Sequence, residues 1–135
     1  MVRGRSLVGG IAAGPLLRLT HPISFWGGVD PVAGTVVDPR HPQHGTSIAG
    51  TVLAIPSAVG SSSSSAIMLE LLRERTAPAA ILMGRADAIL ALGVVVGAEL
   101  GYAPIPFVEV DMDALEGVVD GTRLEIADGT VVIRG

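Results

Sequence analysis

Gly50-Thr51-Val52-Leu53-Ala54-Ile55-Pro56, then Gly60-Ser61-Ser62-Ser63-Ser64-Ser65, then Ala66-Ile67-Met68-Leu69-Glu70-Leu71-Leu72-Arg73 form the most informative run of the chain. Its first part is a β-branched apolar run ended by a proline, which reads as a strand. Its last part carries Ile67, Met68, Leu71 and Leu72 on one stripe, with Glu70, Arg73 and Glu74 facing out, which reads as a helix. Between them a glycine and five hydroxyls occupy a strand-to-helix turn. There they meet the unpaired N–H groups of the helix start, where the positive end of the dipole favours an anion. Such a turn either binds a carboxylate or phosphate or eases ionisation of a serine hydroxyl. It reads as half of an active site.

On the far side of this turn, the helix is expected over residues 63–75 and a short buried strand over 79–83. A second helix starts after Asp87, a suitable N-cap, and ends at Gly101, a suitable C′ residue. Its sequence, Ala88-Ile89-Leu90-Ala91-Leu92-Gly93-Val94-Val95-Val96-Gly97, is apolar nearly all round, so it packs on the sheet and leaves a face for a partner. A strand is expected at 106–110, and Asp128-Gly129 turns a hairpin over 123–133. The first third is punctuated by Gly and Pro, with β-like runs at 6–8, 16–19, 35–37 and 48–55 and a long irregular loop over 20–45. The class is α/β, and the 135 residues read as one domain without repeats or a dividing linker.

Composition narrows the function. Hydrophobic residues make up 49% and charged ones 16%, so little polar surface is available to cover a small core and an obligate partner is expected. Net charge is −4 and the nine basic residues are arginines scattered along the chain, which argues against nucleic acid. Absence of cysteine removes disulfides, thiol catalysis and a self-contained iron–sulfur or cysteine–zinc site. The apolar run over 88–98 is too short to span a bilayer. The opening Met1-Val2-Arg3-Gly4-Arg5 imitates a signal peptide only faintly, because glycines and a proline interrupt the apolar run over 7–17. A cytoplasmic location is expected.

Two further constellations stand out. Thr20-His21-Pro22-Ile23-Ser24-Phe25-Trp26-Gly27-Gly28-Val29-Asp30-Pro31 sets the sole tryptophan beside a phenylalanine in a loop, which suggests a rigid wall or an anchored structural loop. Asp38-Pro39-Arg40-His41-Pro42-Gln43-His44-Gly45 spaces His41 and His44 as a metal site would. Its two prolines and the lack of a nearby Cys or Glu argue against zinc. Arg40 and His41 are instead candidates for holding an anionic substrate or a neighbouring subunit, and His21 reads as structural. A flexible linker is the plain alternative for the serine run. Its position between two well-patterned elements opposes that.

The ordered set Pro22-Ile23-Ser24-Phe25-Trp26-Gly27-Gly28-Val29-Asp30, Arg40-His41-Pro42-Gln43-His44-Gly45, Gly60-Ser61-Ser62-Ser63 and Ala77-Pro78-Ala79-Ala80-Ile81-Leu82 resembles the small subunit of aconitase X over nearly the whole chain. The resemblance implies a swivelling β/β/α domain like the mobile fourth domain of aconitase, with a β-barrel-like first part and two main helices. It implies a large cysteine-containing subunit as partner, an iron–sulfur cluster in that subunit and none bound by this chain alone. In the family the serine after the motif glycine accepts the proton, which maps onto Ser61. Gly60, Ser62, Ser63, Phe25, Trp26, Arg40 and His41 then become candidate substrate contacts. Known aconitases carry an arginine where Ser63 stands, so anion binding falls to other groups, Arg40 or the partner's.

A dehydratase removes a proton beside a carboxylate and expels a β-hydroxyl. Bringing a serine hydroxyl to neutrality requires a shift of roughly six pKa units, about 8 kcal/mol. A helix end supplies up to about 2 kcal/mol. Desolvation, further N–H donors and positive charge or metal from a large subunit must supply the rest, so the isolated chain is expected to be inactive. The family implies two substrates. One is cis-3-hydroxy-L-proline, giving Δ1-pyrroline-2-carboxylate, which the serine motif and the 40–44 loop favour. The other is phosphomevalonate, giving trans-anhydromevalonate 5-phosphate. Readings of other classes are a swivelling phosphohistidine carrier and a non-catalytic assembly domain. The carrier needs a histidine in a Gly/Ser-rich turn near a helix start, and His21, His41 and His44 sit elsewhere.

Overall fold

Side-chain alternation along three short strands sets the layers. Val52, Ala54, Ala80 and Leu82 enter one core, while Leu53, Ile55, Ile81 and Met83 enter another. These residues form β6 (Val52–Ile55) and β7 (Ala80–Met83), buried throughout. In β8 (Phe107–Glu109) Phe107 and Val108 divide between the cores in the same way. Strands buried on both faces occupy the middle of a three-layer stack.

The computed structural model describes residues 1–58 and 63–134. Gly60, Ser61 and Ser62 of the serine run lie outside the described residues. Before β6 come β1 (Val2–Arg3), β2 (Arg5–Val8), β3 (Ile11–Arg18), a kinked single turn α1 (Phe25–Gly28), β4 (Val29–Asp30) and β5 (Thr35–Val36). After it come α2 (Ser64–Glu74), β7, α3 (Ala88–Glu99), β8, a 3₁₀ turn (Met112–Leu115), β9 (Arg123–Ala127) and β10 (Thr130–Arg134). The order in the large sheet is β1-β10-β9-β3-β6-β7-β8-β2. The run β3-β6-β7-β8 is parallel, and the remaining pairings are antiparallel.

Strand β3 belongs to both halves of this sheet. Its residues 11–15 pair with β9 and its residues 16–18 pair with β6. At the changeover stands Gly14, where a Cβ would lie 2.7 Å from the Gly50 carbonyl oxygen. The other seam is Gly4, between β1 on β10 and β2 on β8, where a Cβ would run into the Glu109 carbonyl oxygen. Two close backbone approaches thus fold the sheet into a flattened barrel around Leu16, Leu124, Ile126 and Val131. The expected barrel character is present. It is built from both ends of the chain rather than the first part alone, because β9 and β10 supply one wall.

The helices cover the outer face of the parallel run and complete β/β/α layering. Met68, Leu71 and Leu72 of α2 are buried and Ile67 is half-buried, as their spacing predicts. Asp87 caps α3 by accepting the N–H groups of Ile89 and Leu90. At the other end the Tyr102 N–H reaches the Gly97 carbonyl at 2.9 Å around Gly101, whose φ is +89°. That is the glycine-terminated helix end the sequence predicts. The 20–45 segment, expected as a loop, contains α1 and the β4–β5 pair. Elements of two to four residues are too short to leave a period in the sequence.

Candidate functional site at the C-terminal edge of the parallel strands

In a parallel sheet the loops after the strands gather at the carboxyl edge, and ligands bind there. Here the segment after β6 runs through Pro56, Ser57 and Ala58 into the serine run. A parallel bridge between Ile23 and Ala58 lays the segment after β3 along one side of it. On the other side Gly84 N–H donates to the Ile55 carbonyl at 3.1 Å and Arg85 N–H donates to the Pro56 carbonyl at 3.0 Å. Residues 55–58 are therefore held between the segment at Ile23 and the turn at Gly84 and Arg85.

Within the run, Ser63 occupies the N-cap position of α2, half-buried, and its hydroxyl makes no capping bond. No acidic residue stands in the first turn of α2, so nothing on the helix neutralises the positive end of its dipole. Ser64 is fully buried, and its hydroxyl has no hydrogen-bond partner among the described residues. Leaving such a group unpaired costs about 1–3 kcal/mol. A polar group arriving at this helix start would recover it.

The two aromatics separate. Phe25 is 0% exposed and belongs to the core beneath the helices, whereas Trp26 is 58% exposed. The break within α1 causes this, since Trp26 has ψ 113° and Gly27 has φ +79°. Of the two aromatics expected as candidate contacts, Phe25 is buried and anchors the turn, and Trp26 is the exposed one.

The 38–44 motif acts as a clasp. Gln43 Oε1 accepts the Thr20 N–H at 2.9 Å, and its Nε2 donates to the Arg18 carbonyl at 2.8 Å. His41 is buried, and its Nδ1 accepts the Gln43 N–H at 3.0 Å. The ring proton therefore sits on Nε2, which donates to the His21 carbonyl at 3.2 Å. Both ring nitrogens of His41, expected as a contact for substrate or a neighbouring subunit, are engaged within the scaffold. Arg40 stays accessible, its side chain 90% exposed and its Nε 3.3 Å from Asp38. The Arg40 backbone N–H, and secondly its guanidinium, hold the Asp38 carboxyl below its usual range. His21, Pro22, Asp38 and Arg40 border a recess of about 380 Å³ beside this clasp.

Sequence reasoning missed Arg85 and Gln43. Arg85 is exposed and makes no ion pair among the described residues, and its turn is bonded to the segment entering the serine run. The available signal was positional: it is the first cation after the strand adjoining β6. Gln43 is a long polar side chain fixed in a Pro/Gly-rich loop, and only the three-dimensional clasp reveals its use.

The 84–87 turn is itself fastened from β8. Glu109 Oε2 accepts the Ala86 N–H at 2.8 Å, and its Oε1 accepts from Arg5 Nε at 3.2 Å. The Ala86 N–H first, and Arg5 second, hold the Glu109 carboxyl below the usual 4.5. A carboxyl depressed by folding stabilises the fold above its unfolded pKa and loses that contribution as pH falls through the lower folded value. Glu109→Gln is expected to flatten the decline of Tm below about pH 4.5, measured by thermal melts between about pH 3 and 6. An identical acid profile in the variant would remove Glu109 from this role.

An iron–sulfur or other metal group finds no fitting set of ligands among the described residues. There is no thiolate in the sequence, and the described residues contain no group of three or more His, Asp or Glu that could hold a metal ion. No described helix is long and apolar enough to cross a membrane.

Comparison with known proteins agrees with this architecture. The profile of the aconitase X swivel domain matches residues 1–134. The crystal structure of Thermococcus kodakaraensis aconitase X in its holo form superposes with a TM-score of 0.87 at 34% identity, covering 99% of this chain and 98% of that one. Cis-3-hydroxy-L-proline dehydratase of Hypocrea jecorina is 40% identical over 96% of this chain. Phosphomevalonate dehydratase small subunit of Methanothermobacter thermautotrophicus is 41% identical over 87% of this chain and 86% of its own length. The chain spans 22% and 18% of the length of two cis-3-hydroxy-L-proline dehydratases that it matches. With the fold and the match over residues 1–134 in agreement, this chain belongs to the aconitase X swivel-domain family.

Proposed function

We propose that this chain is the small, swivelling subunit of a hydro-lyase and supplies Ser61 as the proton acceptor. The observation that carries the reading is the match with named dehydratases, which runs through 96% of the chain. The partner is a large subunit holding the cysteines this chain lacks, and any iron–sulfur cluster belongs there. The favoured substrate is cis-3-hydroxy-L-proline. The proton on C2 passes to the Ser61 oxygen, the C2–C3 double bond forms, and the C3 hydroxyl leaves with a proton as water. The resulting enamine tautomerises to Δ1-pyrroline-2-carboxylate.

The roles of the remaining groups come from their surroundings. The start of α2, where the Ser63 hydroxyl makes no capping bond, favours the serine oxyanion and a substrate carboxylate through the helix dipole, with Gly60, Ser62 and Ser63 as the candidate contacts. Trp26 forms a wall that excludes water on closure, and the free part of the Arg40 guanidinium steadies the anionic end. Phe25, His41 and Gln43 keep the loop that carries Trp26 in place.

Phosphomevalonate is the second reading. It is favoured by Arg85, a second accessible cation on the same edge, which suits a substrate with a phosphate as well as a carboxylate. The deciding experiment is an anaerobic dehydration assay of the co-expressed complex on both compounds. Turnover of cis-3-hydroxy-L-proline is expected, with phosphomevalonate turned over at least about 100-fold less well, a gap of roughly 2.7 kcal/mol. The reverse preference would select the second reading, and a stable complex inert on both would reject the substrate assignment.

A further inference from the structure

The motif residues leave one large feature unused, the outer face of α3. Ile89, Leu92, Val95, Val96 and the adjoining Leu100 are each between 39% and 59% exposed. At 100° per residue the four helical positions fall within a third of the circumference, opposite Leu90, Ala91 and Val94, which enter the core. Residues 88–98 contain no polar side chain. A helix meant to face water carries polar residues on its outer face. Between α2 and α3 a shallow groove of about 220 Å³, bordered by Leu69, Leu92 and Val96, extends the apolar surface.

We propose that this face of α3 is the docking surface for the large subunit. The inference rests on the reading of the chain as a dehydratase small subunit. Three candidate occupants can be weighed on chemistry. A lipid surface is opposed by the absence of any basic residue on α3 and by the net charge of −4. A second copy of the chain would cover the apolar stripe, yet it brings no cysteine and duplicates a site already lacking those ligands. The large subunit covers the stripe and supplies what is missing.

Two observations favour the large subunit. The fused relatives align with this chain over about a fifth of their length, so in them the domain always has four-fifths of an enzyme to pack against. Helix α3 also begins directly after the Arg85 turn, which is bonded to the segment entering the serine run. A partner seated along α3 therefore arrives beside the edge where Ser61 must meet substrate. Docking and completion of the site become one event.

The test uses the large subunit from the same organism, with binding measured by calorimetry and by hydrogen–deuterium exchange. Leu92→Asp and Val96→Asp are expected to weaken the complex at least about 100-fold. Val119→Asp, which places the same charge on an exposed residue elsewhere, is expected to leave Kd within about threefold. Exchange needs no substitution, and residues 88–100 of the unaltered chain are expected to slow on complex formation. Tight binding by the unaltered chain with no effect of Leu92→Asp and no slowing over 88–100 would overturn the docking surface and leave the small-subunit reading standing. No binding by the unaltered chain would overturn both. A chain that forms dimers through α3, lost in Leu92→Asp while large-subunit binding persists, would assign the face to a second copy and overturn the proposal.

Discussion

Ser61→Ala in the assembled enzyme is expected to lower kcat by about 10³-fold while the complex and KM stay nearly unchanged. Proton transfer by a positioned side chain contributes roughly 10²–10⁴-fold to rate. An interaction made only in the transition state is lost from kcat and kcat/KM together. Ser62→Ala is expected to cost far less, because the neighbouring hydroxyl has no bond-making role in the mechanism. The measurement is steady-state kinetics on the co-purified complex. Full activity in Ser61→Ala would return the chain to the role of an assembly domain.

Gly93→Ala is the second large effect, and it reaches the site through packing. A Cβ on Gly93 would lie 2.6 Å from the Ser65 carbonyl oxygen and 2.9 Å from the Met68 Cβ, both in the first part of α2. Alanine normally gains about 1 kcal/mol over glycine inside a helix. Here it forces α2 away from α3, and overpacking of this kind costs about 1–3 kcal/mol. Net destabilisation is expected, together with a fall in kcat, because the displaced end of α2 is the one adjoining the serine run. Denaturant melts and kinetics on the same preparation would check it. A more stable variant with unchanged kcat would show that the helix start tolerates movement.

Much of this fold was legible because its central elements are long and strongly patterned. The 67–68–71–72 stripe, Asp87 as N-cap, Gly101 as terminator and Asp128-Gly129 as hairpin turn each act through local chemistry, and each appears where that chemistry requires. What escaped was non-local. Gly4 and Gly14 are seams only because Glu109 and Gly50, distant in sequence, press against them. The β4–β5 pair and α1 are too short to leave a period.

The site divides in the same way. The serine run announced itself by composition and by its position between a strand and a helix. Two of the residues expected as candidate substrate contacts, Phe25 and His41, are loop residues by sequence and buried in three dimensions. Nothing in a linear reading says which member of an aromatic pair turns inward, since that depends on the kink at Trp26 and Gly27. Arg85 was hidden for the opposite reason. Only the strand order β6-β7 brings its turn against Pro56.

Reconstitution asks whether the proton acceptor resides on this chain. The purified chain is titrated anaerobically into its large subunit in the presence of cis-3-hydroxy-L-proline, and dehydration is followed as a function of the ratio of the two chains. Neither chain alone is expected to turn over substrate, and activity is expected to rise and saturate at one small chain per large one. Turnover by the large subunit alone, undiminished when the small chain is omitted, would contradict the assignment of the proton acceptor to Ser61.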